Sequence, residues 1–138
     1  PPSRVILAGR SLGSAVAVDL ATRVDAAGLV LFAPIDSVPQ AGARVYPFAP
    51  VRWLATHQFA AAAKANAISV PVVAVFGVRD QYMPLTDARG LFERFRGPKV
   101  MIETAGGHHH SGFVHIAELY RALVRFWPPA TAKSDREK

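Results

Sequence analysis

The stretch Val5-Ile6-Leu7-Ala8-Gly9-Arg10-Ser11-Leu12-Gly13-Ser14 decides the fold. Val5 to Ala8 is a short apolar run closed by Gly9, and Leu12 to Arg23 has helical composition, with Ala15, Ala17 and Ala21 keeping the helix slim. This reads as strand, sharp turn, helix. At the turn, Gly9 to Gly13 forms a G-x-S-x-G pattern, placed where a tight bend lifts a serine hydroxyl above the end of a sheet. Such a bend leaves little room two residues either side of the serine, because neighbouring backbones pack close; Gly9 and Gly13 are both expected to meet that need. The plain alternative is a glycine-rich turn that only packs tightly or holds an anion at the helix start.

Working outward, Gly28 to Ala33, Val70 to Gly77 and Lys99 to Ile102 are further apolar runs, too uniform for strands wet on one face, and read as buried parallel strands. Between the last two, Ala88, Leu91, Phe92 and Phe95 fall at helical spacing, with Pro84 ahead and Gly97-Pro98 behind. Near the end, Phe113, Ile116, Tyr120, Leu123 and Trp127 are expected to share the inner stripe of a surface helix, opposite Glu118, Arg121 and Arg125. Strands alternating with helices predict an α/β fold of about four parallel strands with flanking helices and right-handed crossovers. The segment Pro34 to Ser69 breaks the rhythm. With Tyr46, Phe48, Trp53 and Phe59 among prolines and alanines, it reads as an excursion of two or three short helices, placed to act as a small cap. Residues 1–128 form one domain on this reading, and 129–138 a polar tail expected to be disordered.

Composition narrows the function classes. At 138 residues the chain is under the ~150 that serve as a one-domain prior. Its 51% hydrophobic and 19% charged residues describe a packed domain and exclude disorder and collagen-like structure. Apolar runs such as Val70 to Phe76 fall far short of the ~18 residues of a membrane span. The net charge of +6 is spread over Arg10, Arg23, Arg44, Arg52, Arg79, Arg94 and Arg121 without clustering, which argues against nucleic acid as a partner. The absence of cysteine excludes disulfides, cysteine-held zinc and thiol catalysis. Compartment stays open, with the cytoplasm favoured. Because the chain starts at Pro1 and runs straight into a strand, an upstream part that would carry any signal or anchor is expected to be missing.

A serine hydroxyl is a poor nucleophile until a base takes its proton, so the Ser11 reading obliges the chain to supply a histidine and an acid that orients it, in the order Ser, Asp, His. Asp80 follows the third strand in Phe76-Gly77-Val78-Arg79-Asp80, at the carboxyl edge where open parallel sheets bind ligands. His108 follows the fourth in Ala105-Gly106-Gly107-His108. Asp36 is an alternative acid, although Ser37 and Pro39 suggest a helix start that it caps. His109 and His110 are alternative bases; His108 is preferred for the glycine pair before it. A metal held by the three histidines is disfavoured, since consecutive side chains diverge and no H-E-x-x-H is present. His57 and His115 read as structural or exposed, and no cofactor is implied.

These stretches, with Leu31-Phe32-Ala33-Pro34-Ile35-Asp36-Ser37, resemble the α/β-hydrolase superfamily from Arg4 to Trp127, most of all its prolyl-oligopeptidase-like and palmitoyl-thioesterase-like branch. The resemblance implies Ser11 as nucleophile, Asp80 as acid, His108 as base and the Leu12 N–H as one oxyanion donor. It departs at Ser14, where many relatives have glycine. It also covers only the carboxyl-terminal part of the family's sheet, so the loop that supplies a second oxyanion donor has no counterpart ahead of Ser11. The expectation is therefore a serine hydrolase of carboxylic esters or thioesters, acting on a small-molecule or acylated substrate. Its turnover is expected to be impaired in this chain, and a missing amino-terminal segment or partner chain is expected to complete the sheet. Arg10, Tyr46, Phe48 and Trp53 are the candidate substrate-pocket residues. A peptidase of the same fold, or a non-catalytic α/β interaction module, are the alternatives.

Overall fold

A computed structural model describes residues 4–48, 60–109 and 116–129. Strands β1 (Ile6–Arg10), β2 (Gly28–Phe32), β3 (Val72–Gly77) and β4 (Lys99–Thr104) form one sheet in the order β1-β2-β3-β4, every neighbouring pair parallel. The helices are α1 (Leu12–Ala21), α2 (Val38–Val45), α3 (Ala61–Lys64), α4 (Leu85–Arg94) and α5 (Ile116–Phe126), with a 3-10 turn at Ala65–Ala67. This is the α/β arrangement of parallel strands and flanking helices that the alternating pattern predicts.

The two central strands are apolar on successive residues because both of their faces are covered. Leu29, Leu31, Val72, Ala74 and Phe76 pack on one side against Ala15 and Val18 of α1, Ile68, and Leu91 and Phe92 of α4. Val73, Val75 and Ile102 pack on the other against Ala122 of α5. Each fully buried Leu or Val of this kind contributes about 1.5–3 kcal/mol relative to an exposed one, which is what fixes the strand register. β1 is different. It lies at the end of the sheet, with Val5 and Ile6 exposed.

The face that α5 buries is only partly the expected one, Leu123 and Trp127 of the predicted stripe lying inward. Ile116 and Tyr120 are 70% and 61% exposed, whereas Leu119, Ala122, Leu123 and Phe126 meet the sheet. Both sets have helical spacing; the small Ala122 lets the helix approach closely, and Trp127 fixes its rotation by donating its indole N–H to the Ala27 carbonyl at 3.1 Å. The ring fills the space over Gly28, where a Cβ would lie 2.1 Å from Trp127 Cζ2.

The excursion after β2 begins with α2. Its N-cap is Ser37, whose hydroxyl accepts from Gln40 N–H at 3.3 Å. Asp36, expected as the cap, is not. The excursion returns through α3 and the 3-10 turn, which seat Ala61, Ala65 and Ile68 in the core. Trp53, His57 and Phe59 fall outside the described residues, as do His110, Phe113, His115 and residues 130–138. Because all four strands run the same way, their carboxyl ends gather Ser11, Asp36, Asp80 and His108 along one edge of the sheet.

Candidate active site

Ser11 still belongs to the sheet through its backbone, donating its N–H to the Phe32 carbonyl at 2.9 Å. The chain then reverses with φ 51° and ψ −121° at Ser11, a region that non-glycine residues rarely occupy and that costs on the order of 1–3 kcal/mol. The bend brings α1 against β1 so closely that a Cβ at Gly9 would sit 2.2 Å from the Gly13 carbonyl oxygen and 2.7 Å from Ser14 N. The expectation that both glycines meet a steric need is corrected at Gly13, where among the described residues outside its own helix backbone a Cβ would meet nothing within 4 Å. The two sites differ because Gly9 faces the helix backbone and the Gly13 Cα faces outward. Ser14 is fully buried, donating to the Ser11 carbonyl at 2.5 Å and accepting from Ile35 N–H at 3.4 Å. The one departure from the familiar pattern thus ties the turn to the loop that follows β2.

Position separates His108 from His109, while His110 lies outside the described residues. His108 is buried, with Nδ1 2.6 Å from Asp80 Oδ2 and Nε2 2.7 Å from Ser11 Oγ; His109 is exposed. An ionised carboxylate can only accept, so Nδ1 carries the proton and Nε2 is left to accept from the serine hydroxyl. Asp80 is held in turn, its Oδ1 accepting N–H bonds from Tyr82 at 2.8 Å and Met83 at 3.0 Å. The loops after β3 and β4 touch directly, since a Cβ at Gly77 would lie 2.4 Å from the Gly106 carbonyl oxygen. Over the imidazole, the Tyr82 ring stands 4.6 Å away between centroids.

The other candidates separate. The Asp36 carboxylate pairs with Arg44 of α2 at 3.1 Å and with no histidine among the described residues. Arg10, expected in a substrate pocket, spends its guanidinium on backbone, donating to the carbonyls of His108 and His109. Leu12 opens α1, where a backbone N–H has no partner within the helix. Its side chain, with Ile35, Val38, Val45, Tyr46 and Tyr82, borders an apolar groove of about 270 Å³ beside Ser11. Phe48 is fully exposed and belongs instead to a separate depression beyond Tyr46. No group of three metal-ligating side chains occurs among the described residues, and no helix there is long and apolar enough to cross a membrane. Arg44 and Tyr82 are absent from the sequence-based site. Tyr82 lies within the quoted Asp80 stretch, whereas nothing local marks Arg44.

No family model matches the chain. It is 32% identical over 126 residues to an uncharacterized protein of Mycobacterium tuberculosis, covering 91% of this chain and 45% of that one. It is 30% identical over 122 residues to the alpha/beta hydrolase domain-containing protein aho-3 of Caenorhabditis elegans, covering 88% and 35% respectively. The chain thus spans less than half the length of these relatives. Among solved structures, the Pyrococcus furiosus esterase Pf2001 superposes with a TM-score of 0.70 at 20% identity, over 89% of this chain and 52% of that chain.

Proposed function

This chain belongs to the α/β-hydrolase superfamily, and from that premise we propose that it acts as a serine hydrolase on carboxylic esters or thioesters, through an acyl-enzyme intermediate. The observation that carries the reading is the continuous hydrogen-bonded chain Ser11 Oγ to His108 Nε2 at 2.7 Å and His108 Nδ1 to Asp80 Oδ2 at 2.6 Å. In this mechanism Ser11 Oγ attacks the carbonyl carbon as His108 takes its proton. Asp80 stabilises the imidazolium and holds the ring in the working tautomer. The oxyanion accepts from the Leu12 N–H, His108 returns the proton to the departing alkoxide or thiolate, and a water activated by the same histidine releases the acid.

The apolar groove supports an acyl group as the part of the substrate held on this side. Leu12 borders it next to the nucleophile and Tyr82 next to the base, while Val38, Val45 and Tyr46 extend it along α2. Of the expected pocket residues, Tyr46 fits this role; Arg10 fits one of loop anchoring. Leu12 is the oxyanion donor assigned, and loss of one such donor costs about 10²- to 10³-fold in turnover, slowing acylation and deacylation alike. The test is labelling with a fluorophosphonate probe, alongside hydrolysis of a panel of esters and thioesters. Labelling that persists in Ser11→Ala removes Ser11 from the nucleophile's role, and a chain that resists the probe while folded overturns the hydrolase reading.

A further inference from the structure

Arg44 has no place in the chemistry above, yet its guanidinium draws together three elements. Nη2 lies 3.1 Å from Asp36 Oδ2, after β2, and 2.6 Å from Asp87 Oδ2, at the start of α4. Nη1 donates at 2.9 Å to the carbonyl of Tyr82, in the loop after β3. The last contact matters most, because the Tyr82 carbonyl and the Met83 N–H belong to the same peptide group. While the carbonyl accepts from Arg44, the N–H of that peptide donates to Asp80 Oδ1 at 3.0 Å, and Oδ2 of the same carboxylate meets His108 at 2.6 Å. We propose that Arg44 is a positioning residue for the Asp80 carboxylate, acting through the Tyr82–Met83 peptide; its consequence for catalysis rests on the hydrolase reading.

Two physical effects run along this path. A peptide whose oxygen accepts from a cation is polarised, so its N–H becomes a better donor to the carboxylate on its far side. The plane is also fixed. Rotation of the Tyr82–Met83 peptide would break the Arg44 bond and the Asp80 bond together, so Asp80 keeps Oδ2 aimed at Nδ1. Asp36 and Asp87 hold the guanidinium, not the peptide. Asp36 is almost buried and itself receives the Ser37 N–H at 2.7 Å, which makes it the rigid anchor, whereas the Asp87 side chain is 46% exposed and the weaker of the two. A planar fork suits this geometry, since one group must meet a carboxylate and a carbonyl in different directions.

The experiment follows the His108 Nδ1 proton of the 138-residue chain by NMR, where a hydrogen bond to a carboxylate moves it far downfield, and measures the fluorophosphonate labelling rate in parallel. Arg44→Ala is expected to move that resonance upfield and to slow labelling about a hundredfold, the scale of a misplaced catalytic group. Added methylguanidine should restore part of both. Asp87→Asn removes one support but leaves the peptide bond in place, so it should leave the resonance unmoved and labelling within about fivefold. Should Arg44→Ala fail to fold, Arg44→Lys carries the test, because an ammonium cannot meet Asp36 and the Tyr82 carbonyl with the same geometry and the resonance must still move. An unmoved resonance in a folded Arg44 variant overturns the proposal. A resonance that responds to Arg44 in a chain the probe never labels upholds the positioning role and rejects the hydrolase reading instead.

Discussion

Replacing Gly9 by alanine should dismantle the turn, whereas the same change at Gly13, four residues on, should not. The added Cβ at position 9 would meet the Gly13 carbonyl oxygen at 2.2 Å, the Gly13 carbonyl carbon at 2.5 Å and Ser14 N at 2.7 Å, all backbone atoms that no rotamer change can move. Opening the first of these contacts from 2.2 Å to the 3.4 Å at which ordinary contact begins displaces the start of α1 from β1 by about 1.2 Å. Ser11 lies between the two elements, and its hydroxyl has only 2.7 Å to His108 Nε2, so a displacement of that size takes the pair out of hydrogen-bond range. Overpacking of this kind costs about 1–3 kcal/mol, which for a domain of this size lowers the thermal midpoint by about 3–4 °C per kcal/mol. Labelling by a fluorophosphonate should fall about a hundredfold. At position 13 the alanine Cβ meets no described residue outside its own helix backbone within 4 Å, and the change removes a glycine from a helix, which stabilises by at most about 1 kcal/mol. Differential scanning calorimetry and labelling kinetics on both variants decide the matter. Equal losses at the two positions, or a Gly9→Ala chain that labels at the unsubstituted rate, would refute the steric account of the turn.

Three further outcomes follow from the same structure. Gly42→Leu, on the α2 wall of the apolar groove, should raise the Michaelis constant for long-chain acyl substrates by about fourfold per methylene it displaces while sparing acetyl substrates; equal effects on both would mean the groove holds no acyl chain. On α5, Ala122→Leu should cost about 1–3 kcal/mol in urea unfolding and Tyr120→Lys no more than about 0.5 kcal/mol, the reverse of what the predicted stripe implies. Finally, among the described residues β1 has no strand beyond it and is flanked by exposed Val5 and Ile6, so the 138 residues alone should self-associate as concentration rises in sedimentation velocity, and Ile6→Lys should suppress this; a chain monomeric throughout refutes it.

Much of the fold was legible because it rests on local signals. The four apolar runs each became a strand, and the pattern at Ala88, Leu91, Phe92 and Phe95 located α4 and its buried face. The α5 stripe was read correctly at Leu123 and Trp127 and misread at Ile116 and Tyr120 for a physical reason. An amphipathic pattern in which Ile116 and Tyr120 compete with Leu119, Ala122 and Phe126 to accompany Leu123 and Trp127 does not say which face the sheet will take, and the deciding contact, Trp127 over Gly28, joins residues almost a hundred positions apart. Gly13 was misjudged similarly, since composition reports a glycine but not the direction in which its missing Cβ would point.

At the site, Asp36 and Asp80 are alike in sequence, each an aspartate just beyond a buried strand. Strand order separates them. β3 lies beside β4, so the loop carrying Asp80 is the immediate neighbour of the loop carrying His108, while Asp36 emerges one strand further away and finds Arg44 first. The same order poses a problem that a linear motif cannot reveal. Ser11 ends β1 and His108 follows β4, three strand spacings or about 14 Å apart at ~4.8 Å each, so the histidine loop must reach back across the sheet. Arg10 bridges that span, extending from the end of β1 to the carbonyls of His108 and His109. The residue beside Ser11 thus draws the histidine loop in from one side, and the Asp80 loop supports the imidazole from the other. A hydrogen-bonded chain across four strands needs both supports, and the G-x-S-x-G pattern, which leaves the identity of Arg10 unspecified, carries information about neither.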